Sequence, residues 1–241
     1  MDWQALALTL KLGLITTAIL LCLAIPLAAW ITLSRSRLRV LIEAVTGLPL
    51  VLPPTVLGFY LLVLLGPRTI IGRFFAEILG HPLAFSFAGL VIGSLVYSLP
   101  FAVQPIVAGF SAIDQSLIDA ARLLGASPTR LIRTMLIPLA ARSIIAAAIL
   151  TFLHTLGEFG IVLMLGGDIP GATRTLSIVL YNQVENFNYS AANRTALVLL
   201  VICTLALILV YARPKDLISG VSARRQGQHN ESTKADGGSH G

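Results

Sequence analysis

The sequence predicts an all-α, polytopic membrane protein of about five transmembrane helices. Its 241 residues are 56% hydrophobic and only 12% charged, whereas a typical soluble domain carries about 25% charged residues. The apolar residues form unbroken runs and lack the alternating pattern of a membrane β-barrel. A helix needs about 20 mostly apolar residues to cross a bilayer core. Five runs meet this requirement: 12–33, 40–65, 85–110, 143–165 and 191–211.

The positive charge of the chain follows the odd-numbered runs. The formal net charge is +6, and three basic clusters come after the first, third and fifth runs: Arg35, Arg37 and Arg39; Arg122, Arg130, Arg133 and Arg142; Arg213, Lys215, Arg224 and Arg225. Because cytoplasmic segments of membrane proteins are enriched in Lys and Arg, this pattern predicts an external N-terminus and a cytoplasmic C-terminus. Topology therefore explains the basic composition, with membrane lipid as a partner and no nucleic acid.

The second run contains Pro49, Pro53 and Pro54 within two helical turns. A proline inside a helix removes a backbone donor and clashes with the preceding turn, at a cost of about 3 kcal/mol. Inside a membrane such a break persists only where protein or a water-filled cavity covers the freed carbonyl groups. The three prolines are therefore candidates for either a pore-lining break or a packing kink. Pro100 and Pro105 predict a kink in the third run for the same reason.

Two loops and the C-terminal tail have their own patterns. The segments 66–82 and 175–187 carry apolar residues at helical spacing, which predicts two short helices lying flat on the outer surface. From residue 214 the composition changes to Gly, Ser, His, Asn and charged residues, as is typical of disordered segments. The sequence thus predicts a transmembrane domain over 1–213 and a disordered cytoplasmic tail over 214–241.

The segment 116–140, between the third and fourth runs, begins with a predicted helix that ends in a glycine turn. Ser116 and Asp119 have the form of a capping box, which opens a helix. Gly125 is suited to the left-handed position that follows the end of a helix. A helix of this kind between two membrane spans, where a short loop would suffice, indicates docking onto a cytoplasmic partner.

A second helix is predicted directly after this turn. Ser127 can act as its N-cap, with Pro128 at the first helical position, where a missing N–H costs nothing. Pro138 is expected to end it, because proline disrupts a helix interior. The two helices together form a cytoplasmic elbow.

This elbow resembles the EAA loop of the permease subunits of ATP-binding-cassette (ABC) importers. The matching positions are Asp119, Ala120, Ala121, Gly125, Met135, Ile137 and Pro138, at the spacing of that family. Asp stands in place of the family's Glu, Met in place of Ile and Ile in place of Leu, so each departure preserves charge or apolar character. The resemblance implies an ABC-importer permease fold whose coupling helix sits in a groove of a separate ATP-hydrolysing subunit.

Two further stretches, 48–66 and 156–181, resemble oxyanion permeases and above all those of molybdate importers. The second stretch does so through Gly157-Glu158-Phe159-Gly160, Ile169-Pro170-Gly171 and Thr173-Arg174-Thr175. The resemblance implies import of molybdate or tungstate through the cytoplasmic (inner) membrane of a prokaryote, with sulfate or another oxyanion as the alternative. It also implies three partners: two copies of an ABC ATPase, a second permease copy in a homodimer, and an external molybdate-binding protein.

The fourth run carries the remaining candidates for the transport pathway: Thr151, His154, Thr155 and Glu158. A neutral imidazole or a hydroxyl group would give the weak, quickly released contact that transport requires. Glu158 is expected near the external end in a structural role, pairing with Arg174 or capping backbone donors, because a carboxylate repels a dianion.

The sequence indicates no catalytic, cofactor or metal site. A P-loop needs a Lys directly after a Gly, and no lysine of the chain follows a glycine, so ATP hydrolysis is expected from a separate chain. His154 and Glu158 alone are too few ligands for a zinc site. An ion-coupled secondary transporter is the alternative class. Such a protein would need intramembrane charges, and many contain internal repeats, but the runs are nearly free of charge and no convincing repeat is found.

Overall fold

The computed structural model describes residues 2–211, and this part of the chain is helical, without strands. The predicted tail over 214–241 lies outside the described residues. The helices are α1 (Trp3–Leu33), α2 (Leu38–Val51), α3 (Pro54–Leu65), α4 (Ile70–Leu79), α5 (Phe87–Ser111), α6 (Gln115–Leu123), α7 (Pro128–Leu131), a π-helical segment (Ile132–Leu136), α8 (Ile137–Leu139), α9 (Ala141–Gly157), α10 (Gly160–Gly166), α11 (Leu176–Glu185) and α12 (Tyr189–Tyr211).

The number of membrane spans agrees with the prediction of about five. Three continuous helices, α1, α5 and α12, are long and apolar enough to cross a bilayer. Two bent pairs of helices raise the number to five when each pair is counted as one span. One pair is α2 with α3, whose axes differ by 111°, and the other is Pro128–Leu139 with α9, whose axes differ by 78°. Pro128–Leu139 belongs to the elbow, so the fourth run itself is covered by α9 and α10. The structure thus confirms an all-α, polytopic membrane protein.

The helix bundle has two distinct ends. At the elbow end, the last turns of α1 and α5 pack with the elbow, so that Ile31, Phe110 and Ile118 belong to one buried cluster. At the opposite end, which we call the loop end, Leu83 and Leu165 pack with α3. Because α2 begins at the elbow end, just after α1, and α3 finishes at the loop end, the bent pair is a broken crossing and does not return to the side on which it started.

The break between α2 and α3 lies at Leu52 and Pro53, as the three prolines predict. Leu52 is extended, with ψ 137°, and Pro53 is also extended, with ψ 135°. Pro54 then occupies the first position of α3, where its missing N–H needs no partner. Pro49 is accommodated inside α2. In contrast, α5 continues through Pro100 and Pro105 without interruption.

The fourth run is also broken, which the sequence analysis did not predict. The helix α9 ends at Gly157, Glu158 is extended with φ −67° and ψ 127°, and α10 begins at Gly160. A Cβ at position 160 would lie 2.9 Å from the Cβ of Pro54, so only glycine allows α10 to approach the start of α3 this closely. The two broken crossings therefore pack against each other at their breaks.

The two predicted surface helices form but differ in their packing. The helix α4 exposes Ile70, Phe74 and Ile78 by 57–80%, as expected for a helix at a membrane surface. The helix α11 instead buries its apolar side in the protein, where Leu176 and Val179 pack in a cluster with Ala5 of α1. The apolar face of α11 therefore contacts α1, and its placement flat on the outer surface stays a prediction.

The absence of a side chain at Gly58 allows α3 to pack closely against α10. A Cβ at Gly58 would lie 2.9 Å from the Met164 Cβ and 3.2 Å from the Ile161 Cα, and a backbone atom cannot move aside alone. Gly58→Ala should therefore destabilise the protein by about 1–3 kcal/mol, visible as a lower midpoint of thermal unfolding in detergent.

Gly47→Ala is the matched control, because the nearest atom to a Cβ there is 3.9 Å away. Removing a glycine from the interior of a helix stabilises that helix by up to about 1 kcal/mol, so the midpoint should stay unchanged or rise. Equal midpoints for the two variants would show that α3 and α10 are not in close contact at Gly58.

Candidate functional site

The first elbow helix, α6, is capped by Asp114 and not by Ser116. The Asp114 carboxylate accepts a 2.9 Å hydrogen bond from the Ser116 backbone N–H, and this bond lowers the pKa of the carboxyl group. Asp119 instead accepts hydrogen bonds from the side chains of Gln115, at 3.2 Å, and Arg122, at 3.4 Å. The predicted capping box is therefore wrong, because an aspartate two residues earlier provides an equally good cap that also carries charge.

The glycine turn at the end of α6 forms as predicted. Gly125 has φ +79°, in the left-handed region that favours glycine. The Gly125 N–H donates to the Arg122 carbonyl at 2.9 Å, and the Ala126 N–H donates to the Ala121 carbonyl at 3.0 Å. Among the described residues, no atom lies within 4 Å of where a Cβ at position 125 would stand, so this turn projects freely from the protein.

The second elbow helix begins at its predicted cap but extends past its predicted end. Ser127 accepts a 3.3 Å hydrogen bond from the Arg130 N–H, with Pro128 at the first helical position. The helix continues through Pro138 to Leu139. Pro138 does not end it, because the preceding turn widens into the π-helical segment, in which the Ile137 N–H reaches back five residues to the Ile132 carbonyl.

The elbow is anchored in the bundle through its apolar side. Ile118 of α6, Leu131 of α7 and Leu136 of the π-helical segment are each at most 2% exposed. They belong to the same buried cluster as Ile31 of α1 and Phe110 of α5. A displacement of the elbow therefore acts directly on the ends of two membrane spans.

The opposite side of the elbow presents apolar residues to the outside. Leu123 and Leu124 are 90% and 89% exposed, and with Gly125 they form what we call the elbow tip. Two adjacent leucines at this exposure indicate a contact surface. The sequence analysis missed both leucines, although their position just before the turn glycine could have identified them.

The seven predicted elbow residues divide between the two sides. Ala120 and Gly125 are exposed, and Asp119 is partly exposed next to them. Ala121 and Met135 are partly buried against the cluster that anchors the elbow. Ile137 is partly buried, and Pro138 is exposed.

A second group of functional candidates lies where α5 faces the end of α9. The Ser94 hydroxyl donates to the Glu158 Oε2 at 2.8 Å. One turn further along α5, the Ser98 Oγ lies 2.9 Å from the His154 Nδ1 and 3.1 Å from the Thr155 Oγ1. We call these five residues the polar cluster. Ser94 and Ser98, four residues apart on α5, thus face Glu158 and His154, which are also four residues apart.

The polar cluster borders a cavity of about 440 Å³. The imidazole of His154 stacks on the ring of Phe101, with centroids 3.8 Å apart, and lies 4.7 Å from the ring of Tyr97. The lining includes Pro54, Thr55, Tyr97, Leu153, His154, Gly157, Glu158, Phe159 and Gly160. The cavity therefore lies at the place where the two broken crossings meet.

The structure brings only some of the predicted pathway residues together. Pro54, His154 and Glu158 line the cavity, and Thr155 joins the polar cluster through Ser98. In the described part of the chain, Pro49, Pro53 and Thr151 lie outside the lining. The sequence analysis missed Ser94, Ser98, Tyr97 and Phe101, although the four-residue spacing of the two serines matches that of His154 and Glu158.

Glu158 does not pair with Arg174, so this part of the expectation is wrong. Arg174 pairs with Asp168, whose other oxygen accepts a 2.7 Å hydrogen bond from Asn182. Glu158 is 3% exposed, and among the described residues its Oε1 has no hydrogen-bond partner. Its backbone carbonyl accepts a 2.7 Å bond from the Ser177 hydroxyl. The residue therefore lies inside the protein at the helix break and not at the rim.

This arrangement favours weak polar contact with a passing solute over tight capture. The polar cluster contains three hydroxyl groups, one imidazole and the Glu158 carboxylate, and the stacked Phe101 ring holds the imidazole in place. Within residues 2–211, no group of three or more His, Cys, Asp or Glu side chains could hold a metal ion. Hydrogen-bonding groups without a fixed cation can orient an anion and release it again.

Comparison with known proteins identifies the family. The family described as "Binding-protein-dependent transport system inner membrane component" matches residues 11–218. The molybdenum transport system permease protein ModB of Azotobacter vinelandii is 47% identical over 212 residues, covering 88% of this chain and 93% of that protein. ModB of Escherichia coli K12 is 32% identical over 227 residues, covering 94% of this chain and 97% of that protein.

Solved structures share the fold at low sequence identity. A chain of the MetNI methionine ABC transporter, in an inward facing conformation, superposes with a TM-score of 0.70 at 18% identity, covering 88% of this chain and 94% of that chain. A chain of a bacterial alginate ABC transporter also gives a TM-score of 0.70, at 17% identity, covering 86% of this chain and 76% of that chain. This chain therefore belongs to the family of binding-protein-dependent transport system inner membrane components, and it has the fold of an ABC-importer permease.

Proposed function

We propose that this chain is the pore subunit of an ATP-driven importer that carries molybdate, or the similar anion tungstate, across the cytoplasmic membrane. The observation that carries this proposal is the 47% identity to a molybdenum transport permease over 88% of the chain. The polar cluster is consistent with weak, quickly released contact, because it holds no fixed cation and its Glu158 carboxylate repels a dianion. Sulfate or another oxyanion is the alternative cargo.

ATP hydrolysis in this importer is carried out by a separate ATPase chain that binds the elbow. The sequence has no P-loop, and the elbow tip offers Leu123 and Leu124 as an apolar contact surface. One chain has one elbow, and its cavity lies between broken crossings that one copy does not enclose. We infer a homodimer with two ATPase copies, supplied by an external binding protein. The division into a permease domain over 1–213 and a tail over 214–241 stays a prediction from the sequence, because the tail lies outside the described residues.

The orientation that we propose places the elbow end in the cytoplasm and the N-terminus outside. Arg35, Arg37 and Arg39 follow α1 at the elbow end, and the elbow itself carries Arg122 and Arg130, as positive-inside counting requires. The variants at Gly125 described below also test this orientation, because an ATPase can bind only a cytoplasmic elbow.

Cargo identity can be tested by uptake. Cells that lack this chain should lose accumulation of radiolabelled molybdate at low external concentration, and a plasmid copy should restore it. Excess tungstate should compete with molybdate, because these two tetrahedral dianions have nearly the same size, whereas excess sulfate, a smaller tetrahedral dianion, should compete weakly. Restored sulfate uptake without molybdate uptake would assign the chain to the alternative cargo.

The coupling role of the elbow leads to a prediction at Gly125. A Cβ in the left-handed conformation costs about 1–2 kcal/mol, and a β-branched residue fits it poorly. Gly125→Val should therefore distort the elbow tip and lower both molybdate uptake and ATPase recovery in a pull-down by about tenfold. Gly125→Asn should retain most of both activities, because asparagine tolerates this conformation.

Gly80→Val is the matched control for a strained glycine outside the elbow. Gly80 has φ +74° at the end of α4, and among the described residues a Cβ there would also meet no atom within 4 Å. It lies at the loop end, so this variant should bind the ATPase normally. If Gly125→Val transported molybdate normally with the ATPase bound, the elbow would not couple hydrolysis to transport.

The polar cluster leads to a prediction at His154. His154→Phe keeps an aromatic ring stacked on Phe101 but removes the nitrogen that contacts Ser98. Loss of one hydrogen bond, worth about 1 kcal/mol, should slow transport about fivefold, while the ATPase stays bound and active. Thr32→Val, which removes a hydroxyl bonded to the Ala28 carbonyl in α1, should leave transport unchanged. Equal transport rates for His154→Phe and Thr32→Val would show that the polar cluster does not contribute to the transport pathway.

A further inference from the structure

A large cavity at the loop end is unrelated to the polar cluster. It has a volume of about 910 Å³, within the range of about 300–1,000 Å³ that is usual for ligand pockets. It is bounded by the start of α1, the segment 81–86, the first turn of α5 and Gly171 with Ala172. It shares no lining residue with the cavity at the polar cluster, so the two cavities are separate.

The cavity contains an uncompensated cation. Lys11 lines it from the third turn of α1, and its side chain is exposed. The ammonium group lies over the ring of Phe87, 4.8 Å from the centroid. Among the described residues the ion pairs are Arg122–Asp119 and Arg174–Asp168, so no described carboxylate neutralises Lys11. Lys11 is therefore available to pair with an anionic group from outside the described residues.

The position of the ammonium group corresponds to the boundary of the membrane. Helical side chains point towards the N-terminus of their helix, and a lysine uses this direction to bring its charge to the interface. Phe87 is the first residue of α5, so the ammonium group lies level with the start of a span. Trp3 and Phe85 are 71% and 52% exposed at the same end, as aromatic residues are at membrane interfaces.

The lining is amphipathic, with polar and apolar parts. Gln4, His81 and Ser86 contribute polar groups in addition to Lys11, and the remaining lining carries no polar side chain: Ala7, Leu8, Pro82, Ala84, Phe85, Phe87, Ala88, Gly171 and Ala172. Phe85 holds φ +61°, an uncommon conformation for a bulky residue that occurs preferentially at ligand sites. Its N–H donates to the Leu165 carbonyl at 2.7 Å, which holds the backbone in this conformation at the edge of the cavity.

We propose that this cavity binds the headgroup of an anionic phospholipid from the membrane leaflet at the loop end. The lipid phosphate contacts the Lys11 ammonium group, the polar groups of Gln4 and His81 contact the headgroup, and the apolar lining contacts the glycerol and the first acyl carbons. A phospholipid fits better than a soluble oxyanion, because the lining is mainly apolar and the cation lies at the membrane boundary.

Native mass spectrometry of the permease–ATPase complex, released from nanodiscs of equal phosphatidylglycerol and phosphatidylcholine, tests this proposal. The complex should retain phosphatidylglycerol in several-fold excess. Lys11→Met should lower this excess about fivefold, the effect of one basic residue at an anionic surface, and Lys11→Arg should keep it. Arg73→Gln removes an external cation outside the cavity lining and should change nothing.

A steric pair of variants tests the cavity independently of charge. Ala7→Trp should fill the cavity and lower lipid retention, whereas Leu14→Trp should not, because Leu14 lies on α1 outside the lining. An unchanged phosphatidylglycerol excess in both Lys11→Met and Ala7→Trp would overturn the proposal. Binding of inorganic phosphate or molybdate in lipid-free detergent that depends on Lys11, without preference for phosphatidylglycerol, would also overturn it and identify the occupant as a soluble anion.

Discussion

Backbone polar groups inside a membrane must find hydrogen-bond partners within the protein, because lipid offers none. Two crossings of this bundle are broken, at Leu52–Pro53 and at Glu158–Phe159, and each break frees such groups. The breaks are placed against each other, with Gly160 in contact with Pro54, and the freed Glu158 carbonyl is bonded by Ser177. The cavity beside the polar cluster therefore exists because irregular backbone is tolerated only where protein surrounds it.

The elbow depends on the same bundle for its rigidity. Its buried side joins α1 and α5 in one cluster, so the exposed elbow tip cannot move without moving the ends of these spans. The π-helical segment allows the second elbow helix to continue through Pro138 to Leu139, and α9 begins at Ala141 after a bend of 78°. Ala140 is the single residue between the two helices, and both its N–H and its carbonyl group are hydrogen-bonded, so this short, bent connection suits mechanical coupling.

The sequence predicted those features that depend on local chemistry. The five apolar runs, the proline break, Gly125 and the cap at Ser127 each follow from a few neighbouring residues, and the structure confirms them. The break at Glu158, the pairing of Arg174 with Asp168 and the burial of α11 depend on which helices become neighbours. Ser94 and Ser98 were missed for this reason, because the hydrogen-bond partners of a serine in an apolar span depend on which helix packs against it.

The geometry of α9 links the elbow to the polar cluster in the proposed function. This helix starts at the bend after the elbow and carries His154, with Glu158 directly beyond its end at Gly157. With a rise of 1.5 Å per residue, its 17 residues span about 25 Å. A rotation of about 5° at the bend would therefore move the far end by about 2 Å. Such a displacement is enough to break hydrogen bonds between α9 and α5, so a small movement driven at the elbow can open a weakly polar passage.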